Sequence, residues 1–341
     1  MSNQTKKIVQ LLLVILIGSF FIYYSFKGTD WSDLFTKISE AKIGWLILGM
    51  AISLTSHWLR AYRATLLYDA MNYKVGTKNS LYAVLIGYMM NYFIPRAGEL
   101  SRCASLSKTD NLPVEKSLGS VVTERIVDMV LLIIILGGIF LLQFDMIVGF
   151  IESASSNTNT TASKSSFPWK IVILTALIIL SFVLYFLKDK LLKLPLFIRI
   201  FKLLQGFSDG LLSIRHLKNP GLFIILSVLI WVGYILMMYF CLFSLESTSN
   251  LTFSDCLTVF TIGTIGVVLP APGAGAGTYH FFVMQSLMLF GVAKEDGLAY
   301  ATLVHGLQMI VLIFLGLAAS GIIYLGQKKN EQIKPNISQD I

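Results

Sequence analysis

Charge is scarce in this sequence. Asp, Glu, Lys and Arg together make up 13% of the 341 residues, against 55% hydrophobic. A soluble enzyme of this length needs more charge to cover its surface. Histidine is scarcer still, with four residues and none at ligand spacing, so no metal site is expected. Three scattered cysteines, Cys103, Cys241 and Cys256, form no CxxC. Their odd count argues against a disulfide framework and fits small buried side chains. HExxH, GxSxG and GxxxxGK[ST] are missing, as is a pair of carboxylates in an acid–base setting. No catalytic residue, cofactor or enzymatic activity is therefore expected.

What the chain has instead is apolar length. A mean hydropathy of +0.72 marks an all-α polytopic membrane protein. Full spans are expected near residues 8–26, 43–62, 117–143, 168–187, 221–243 and 297–325. The first follows Lys6-Lys7, but its apolar run is too long for a signal-peptide core and no A-x-A-like site follows, so it reads as a retained span. The net charge of +8 fits the positive-inside rule better than nucleic-acid binding. With the N-terminus inside, twenty of the 27 Lys and Arg residues fall in inner segments and six in outer ones, with Arg125 inside a span. That bias predicts a multi-pass protein of the bacterial cytoplasmic membrane with both termini cytoplasmic. One integral membrane domain over residues 1–341 is expected: a first half at 8–143, an outer loop at 144–167, a second half at 168–325 and a disordered tail at 326–341. The basic amphipathic stretch Lys188–Asn219 reads either as an interfacial helix attracting anionic lipid or as an ordinary inner connector.

Two segments break the pattern in the same way. Ile86-Gly87 opens a short apolar run closed by Pro95-Arg96-Ala97-Gly98-Glu99. Ile262-Gly263 opens another, closed by Pro270-Ala271-Pro272-Gly273-Ala274-Gly275-Ala276-Gly277 and followed by Thr278-Tyr279-His280. Runs this short do not cross a bilayer, and Pro and Gly leave backbone groups that hydrocarbon cannot satisfy. Broken helices near 80–96 and 255–291, one per half, therefore predict elements related as an inverted repeat around a transport site. The second is either a re-entrant hairpin or two tilted spans. After Gly98 a new helix is expected, whose free amides, with Arg96 and Arg102, would receive an anion, while Asn91 and Glu99 flank the run. The glycines of the second break admit a ligand closely, or else pack helices through small residues.

The remaining polar residues are few. Glu124, Arg125 and Asp128 sit about two turns into a span, either lining a cavity or forming a structural ion-pair network. His57, Arg60 and Arg63 share one helix end, as interface anchors or as phosphate ligands. His305 and Gln308 lie one turn apart in the last span, where the histidine is a packing residue or part of a path.

Arg60-x-x-Arg63, Asn91-Tyr92-Phe93-Ile94-Pro95-Arg96-Ala97-Gly98-Glu99-Leu100-Ser101-Arg102, Glu124-Arg125-x-x-Asp128 and the Pro-x-Pro-Gly-x-Gly-x-Gly run at 270–277 occur in this order. Together they resemble the flippase-like transmembrane family of lysylphosphatidylglycerol synthases, over roughly residues 8–325. The resemblance implies about eight membrane helices with re-entrant elements. It also implies movement or binding of anionic, aminoacylated or polyprenyl-linked lipids. Full-length synthases add a second membrane bundle and a cytosolic aminoacyl transferase domain. This chain ends about 16 residues after its last span, so lysyl transfer is not expected of it. Ala274 replaces a glycine often found in the family's second break, and His280 stands near its acidic position. The expected activity is a lipid flippase or lipid-binding transporter, with lipid-phosphate headgroups as partners. The alternatives are an accessory subunit of a membrane enzyme and a small-solute transporter.

Overall fold

The computed structural model describes residues 3–95, 97–143, 214–269 and 271–337. Arg96, Pro270, the 144–167 loop, the span at 168–187 and nearly all of the 188–219 stretch lie outside the described residues. The described chain is helical: α1 (Asn3–Phe26), α2 (Trp31–Ser39), α3 (Ile43–Ala70), α4 (Thr77–Phe93), α5 (Ala97–Asp110), α6 (Val114–Leu142), α7 (Pro220–Leu242), α8 (Phe253–Val268), α9 (Thr278–Met288) and α10 (Lys294–Ile337). Short 3₁₀ turns at Ile214–His216 and Glu246–Thr248 complete it. Residues 1–125 and 217–341 form one compact unit and residues 126–216 a second. Of the second unit, the described part is the later half of α6 and the turn at Ile214–His216.

Three described helices are long and apolar enough to cross a membrane: Val114–Leu142, Pro220–Leu242 and Lys294–Lys328. α2 and α3, bent by 78°, pass the same test together. Their flanks carry exposed apolar side chains, such as Ile225 on α7 at 58% and Phe314 on α10 at 68%, which suit a lipid surroundings. Two boundaries differ from expectation. α3 runs to Ala70 rather than ending near 62, so His57, Arg60 and Arg63 lie inside a helix instead of at its end. α10 continues to Ile337, so most of the expected disordered tail is helix.

Within the first unit, α3 and α7 pack through small residues. A Cβ on Gly49 would collide with Cys241, and one on Gly233 with Ser56. Backbones this close are how helices gain contact where no hydrophobic drive separates them from lipid. At the start of α3, the Lys42 amide donates to the Ser244 carbonyl at 2.8 Å. At the same end, Lys37 pairs with Asp296 at 2.8 Å and the Lys294 ammonium donates to the Lys27 carbonyl at 2.6 Å. Four lysines expected on one side of the membrane therefore do share one end of the bundle.

Each broken segment is a helical hairpin. In the first, α4 and α5 join through Ile94–Arg96, and their bases are tied where Asn79 donates to both Asp110 oxygens at 3.0 and 3.2 Å. This base packs at the far end of α3, where Ala64 and Tyr68 meet Val75, Leu106 and Leu112. In the second hairpin, α8 and α9 open toward the Lys42–Ser244 end, since α8 follows the Glu246–Thr248 turn and α9 leads into Lys294. The two hairpins thus enter the unit from opposite ends. At 1.5 Å per residue, α8 spans about 24 Å and α9 about 17 Å, so neither crosses a ~30 Å hydrocarbon core alone. Glycines make both hairpins tight. A Cβ on Gly87 would stand 2.9 Å from the Gly98 carbonyl oxygen, one on Gly98 would collide with the Gly87 carbonyl, and one on Gly266 would stand 2.8 Å from the Thr278 carbonyl.

Gly98→Ala is expected to lower stability by about 1–3 kcal/mol, because the added methyl meets backbone that cannot move aside. Gly119→Ala, where nothing lies within 4 Å of the new Cβ, should be neutral or slightly stabilising. Thermal unfolding of both variants in detergent checks this, and equal midpoints would show that the hairpin is not close-packed at Gly98.

Candidate functional site

Glu124 on α6 is the point where three helices meet. Its side chain is 2% exposed. Arg102 of α5 binds it from one side, Nη2 donating to Oε1 at 2.7 Å and Nη1 to Oε2 at 3.3 Å. Arg63 of α3 donates to Oε2 from another side at 3.4 Å. The planar guanidinium fork suits this paired arrangement better than an ammonium would. Each arginine is held by a second group. Arg102 donates to the Tyr68 hydroxyl at 3.0 Å. Arg63 donates to Ser227 at 2.9 Å and lies 5.4 Å from the centre of the Phe223 ring. Arg63 is fully buried, so it is not an interface anchor.

Arg60, one turn before Arg63, starts a second chain of polar contacts. Its Nη2 donates to the Tyr234 hydroxyl at 3.4 Å, and that hydroxyl lies 3.4 Å from the Tyr88 hydroxyl. The His57 ring packs against Tyr88 with centres 4.4 Å apart. At the first break, Asn91 accepts from the Gly98 amide at 2.8 Å. The amide that the sequence offers to an anion is therefore already capped by a side chain from the opposite helix. Pro95 sits in the turn between the two helices, where its missing N–H costs nothing. Glu99 pairs with Arg125 at 3.0 Å in a more exposed position, not with Arg102. Asp128, one turn beyond Glu124 on α6, is buried in the second unit.

These residues line a pocket of about 30 Å³ between α3, α4, α5 and α6. Arg60, Arg102, Arg125, Glu99, Glu124 and Asn91 supply its polar wall. That volume takes one or two waters. On the other side of the same α4–α5 hairpin lies a groove of about 340 Å³. Ile86, Met89, Met90, Ile323 and Tyr324 make it mainly apolar, while Ser101, Ser105, Lys108, Ser320 and Gln327 add a polar edge.

The second break forms its own cluster. Gly273, Ala274, Gly275 and Gly277 all have positive φ, at 63°, 53°, 98° and 87°. Glycine adopts these angles freely, whereas Ala274 does so at a cost of order 1 kcal/mol. Pro272 packs on α1, where a Cβ on Gly18 would stand 2.5 Å from its Cδ. Tyr279, His280 and His305 are buried and touch one another, the two imidazole centres being 5.2 Å apart. Tyr92, at the tip of the first hairpin, reaches His305 of α10 with ring centres 6.2 Å apart, and the turn at Pro272–Gly275 packs against α4, so the two tips meet.

The structure thus gathers Arg60, Arg63, Asn91, Gly98, Glu99, Arg102, Glu124 and Arg125 at the first break. Pro272, Gly273, Gly275, Gly277, Tyr279, His280 and His305 gather at the second. The sequence reading missed Tyr68, Tyr88, Tyr92, Tyr234 and Ser227, the hydroxyls that hold or extend the arginines and histidines. The usable signal was the i, i+4 pair Tyr88 and Tyr92 inside a short apolar helix.

Helices with apolar, exposed flanks around buried arginines and a carboxylate define a multi-pass membrane protein. The chain belongs to the lysylphosphatidylglycerol synthase TM region family, whose model matches residues 8–316. It is thus a membrane domain of a lipid-handling family. Comparison with curated proteins and with solved structures returns no match.

Glu124→Gln leaves Arg63 and Arg102 buried without their shared carboxylate, which should cost about 3–5 kcal/mol. Glu99→Gln, in the exposed pair, should cost about 0–1 kcal/mol. Thermal melts of the purified variants separate the two, and a Glu124→Gln protein as stable as the wild type would remove Glu124 as the tie between the helices.

Proposed function

We propose that this protein binds and translocates a phosphate-bearing lipid across the membrane. Arg60 and Arg102 receive the phosphate at the first break, and the acyl chain lies in the groove along α4, α5 and α10. The observation that carries this reading is the pairing of two sites on one hairpin. An arginine-lined polar pocket and a larger apolar groove share α4 and α5. A water-soluble solute has no use for the groove, whereas an amphiphile uses both. Guanidinium groups match phosphate oxygens in bidentate geometry. With room for one or two waters, the pocket admits a headgroup only when the hairpin moves away from α6.

Membership in the family supports a lipid cargo, since lipid handling is what the family name describes. Three of the basic residues counted toward orientation, Arg60, Arg63 and Arg102, are buried and do not report sidedness. Setting them aside leaves seventeen inner against six outer, which still favours cytoplasmic termini. We take the chain to act as a carrier, not as an enzyme.

The test is native mass spectrometry of lipids that co-purify with the protein, comparing wild type with Arg60→Gln. One phosphate-bearing lipid should be enriched on the wild type and fall roughly tenfold on a folded variant, the effect of losing one charge-assisted hydrogen bond. A bulk-membrane lipid profile on both proteins would overturn the lipid assignment.

A further inference from the structure

The tip of the second hairpin is held by two histidines that the lipid site does not use. His280, in the first turn of α9, accepts a hydrogen bond at Nδ1 from the Gly277 amide at 3.4 Å. His305, from α10, lies beside the Ala274 backbone and packs against the His280 ring. Its Nε2 is buried and has no hydrogen-bond partner among the described residues. Ala274 and Gly277 bracket the left-handed turn, so the two imidazoles clasp it at both ends.

The chemistry of each ring makes this clasp sensitive to a proton. An Nδ1 that accepts a hydrogen bond carries no proton there. A proton added to His280 lands on Nδ1 and turns the acceptor into a donor, which breaks the bond to Gly277. His305 offers its buried Nε2, which has no partner among the described residues, as a place for a proton. The rings are 5.2 Å apart, so the first proton disfavours a second on its neighbour.

The surroundings favour the histidines as the groups that titrate. Their own element α9 adds Tyr279, stacked on His305 at 5.3 Å, and α4 adds Tyr92. α1 presents the Phe26 ring to His280 at 6.0 Å. Behind Tyr279 stand the buried thiols of Cys241 on α7 and Cys256 on α8. Phenols and thiols ionise well above the range in which imidazole changes charge.

We propose that the His280–His305 pair is a proton-binding site, and that protonation releases the turn at residues 273–277 and loosens the tip of the second hairpin. The step is proton uptake alone: one proton from water joins one imidazole lone pair, and the site gains a single positive charge. In a translocator, such a site ties hairpin movement to a proton gradient. The site itself is independent of the cargo assigned above.

Hydrogen–deuterium exchange of the protein in lipid nanodiscs tests it without any cargo. Amides of residues 263–283 are followed at about pH 5.5 and about pH 8, corrected for the intrinsic chemical rate. The wild type should lose protection roughly tenfold at the lower pH, and only around this turn. The comparison is with the double variant His280→Asn, His305→Asn. The asparagine amide can accept from Gly277 as His280 does but does not take up a proton. The variant should exchange at one corrected rate at both pH values. Equal protection of the wild type at both pH values would overturn the proposal even if the variant failed to fold. A pH response that survives in a folded double variant would also overturn it and would point to His57.

Discussion

One buried carboxylate organises the first half of this protein. Glu124 accepts hydrogen bonds from arginines on two other helices, and each arginine has a further polar partner. In a low-dielectric interior this geometry offsets the cost of desolvating the charges only when every member is in place. The ends of the network therefore fix the helices. Arg63 registers α3 against α6 and α7, and Arg102 registers the α4–α5 hairpin against α6. The pocket beside it is a consequence of that register, because Arg60, Arg102 and Glu124 line it together.

The bilayer imposes the second constraint. Backbone that leaves the helix at 94–96 and 270–277 has no water to turn to within hydrocarbon. The protein answers with side-chain and close-backbone contacts. Asn91 caps Gly98, His280 accepts from Gly277, and Gly87, Gly98 and Gly266 let each hairpin close on itself. Because the hairpins enter from opposite ends, their tips meet and each helps to enclose the other. The turn at Pro272–Gly275 against α4 is that meeting point, with His305 of α10 beside it on Tyr92.

Much of this was legible in the residues. Period and length placed α6, α7 and the start of α10 to within a few positions, because apolar runs of that length have one solution in a membrane. The two breaks were legible because proline and glycine act locally. Pairing was not. Glu124, Arg125 and Asp128 read as neighbours along one helix, yet Glu124 finds its partners on α3 and α5, and Arg125 pairs with Glu99. Such choices depend on which helix faces which. The end of α3 was misjudged for a related reason. His57, Arg60 and Arg63 look like an interface when hydropathy alone is summed, but buried partners offset the cost of carrying their charge deeper. Asn91, expected to flank an anion site, caps the hairpin by accepting from the Gly98 amide.

The two tips differ in how firmly they are held, and that difference orders the events of the proposed transport. Opening the first hairpin separates Arg102 from Glu124, a buried pair whose disruption costs about 3–5 kcal/mol. Opening the second gives up one long hydrogen bond to Gly277 and relieves the left-handed strain at Ala274, two effects of about 1 kcal/mol each and opposite sign. Thermal motion alone therefore favours movement at the second tip. The first tip moves when something replaces what Arg102 loses, and a phosphate oxygen is a suitable replacement, since it accepts from the same fork that Glu124 occupies. A ligand shifts an equilibrium only by its differential affinity for the two states. A phosphate that binds the open pocket better than the closed one supplies that difference at the first hairpin. A proton on the histidine clasp supplies it at the second. Because the turn at Pro272–Gly275 packs on α4, neither hairpin moves without altering the packing of the other, and this shared contact is where the two equilibria are linked.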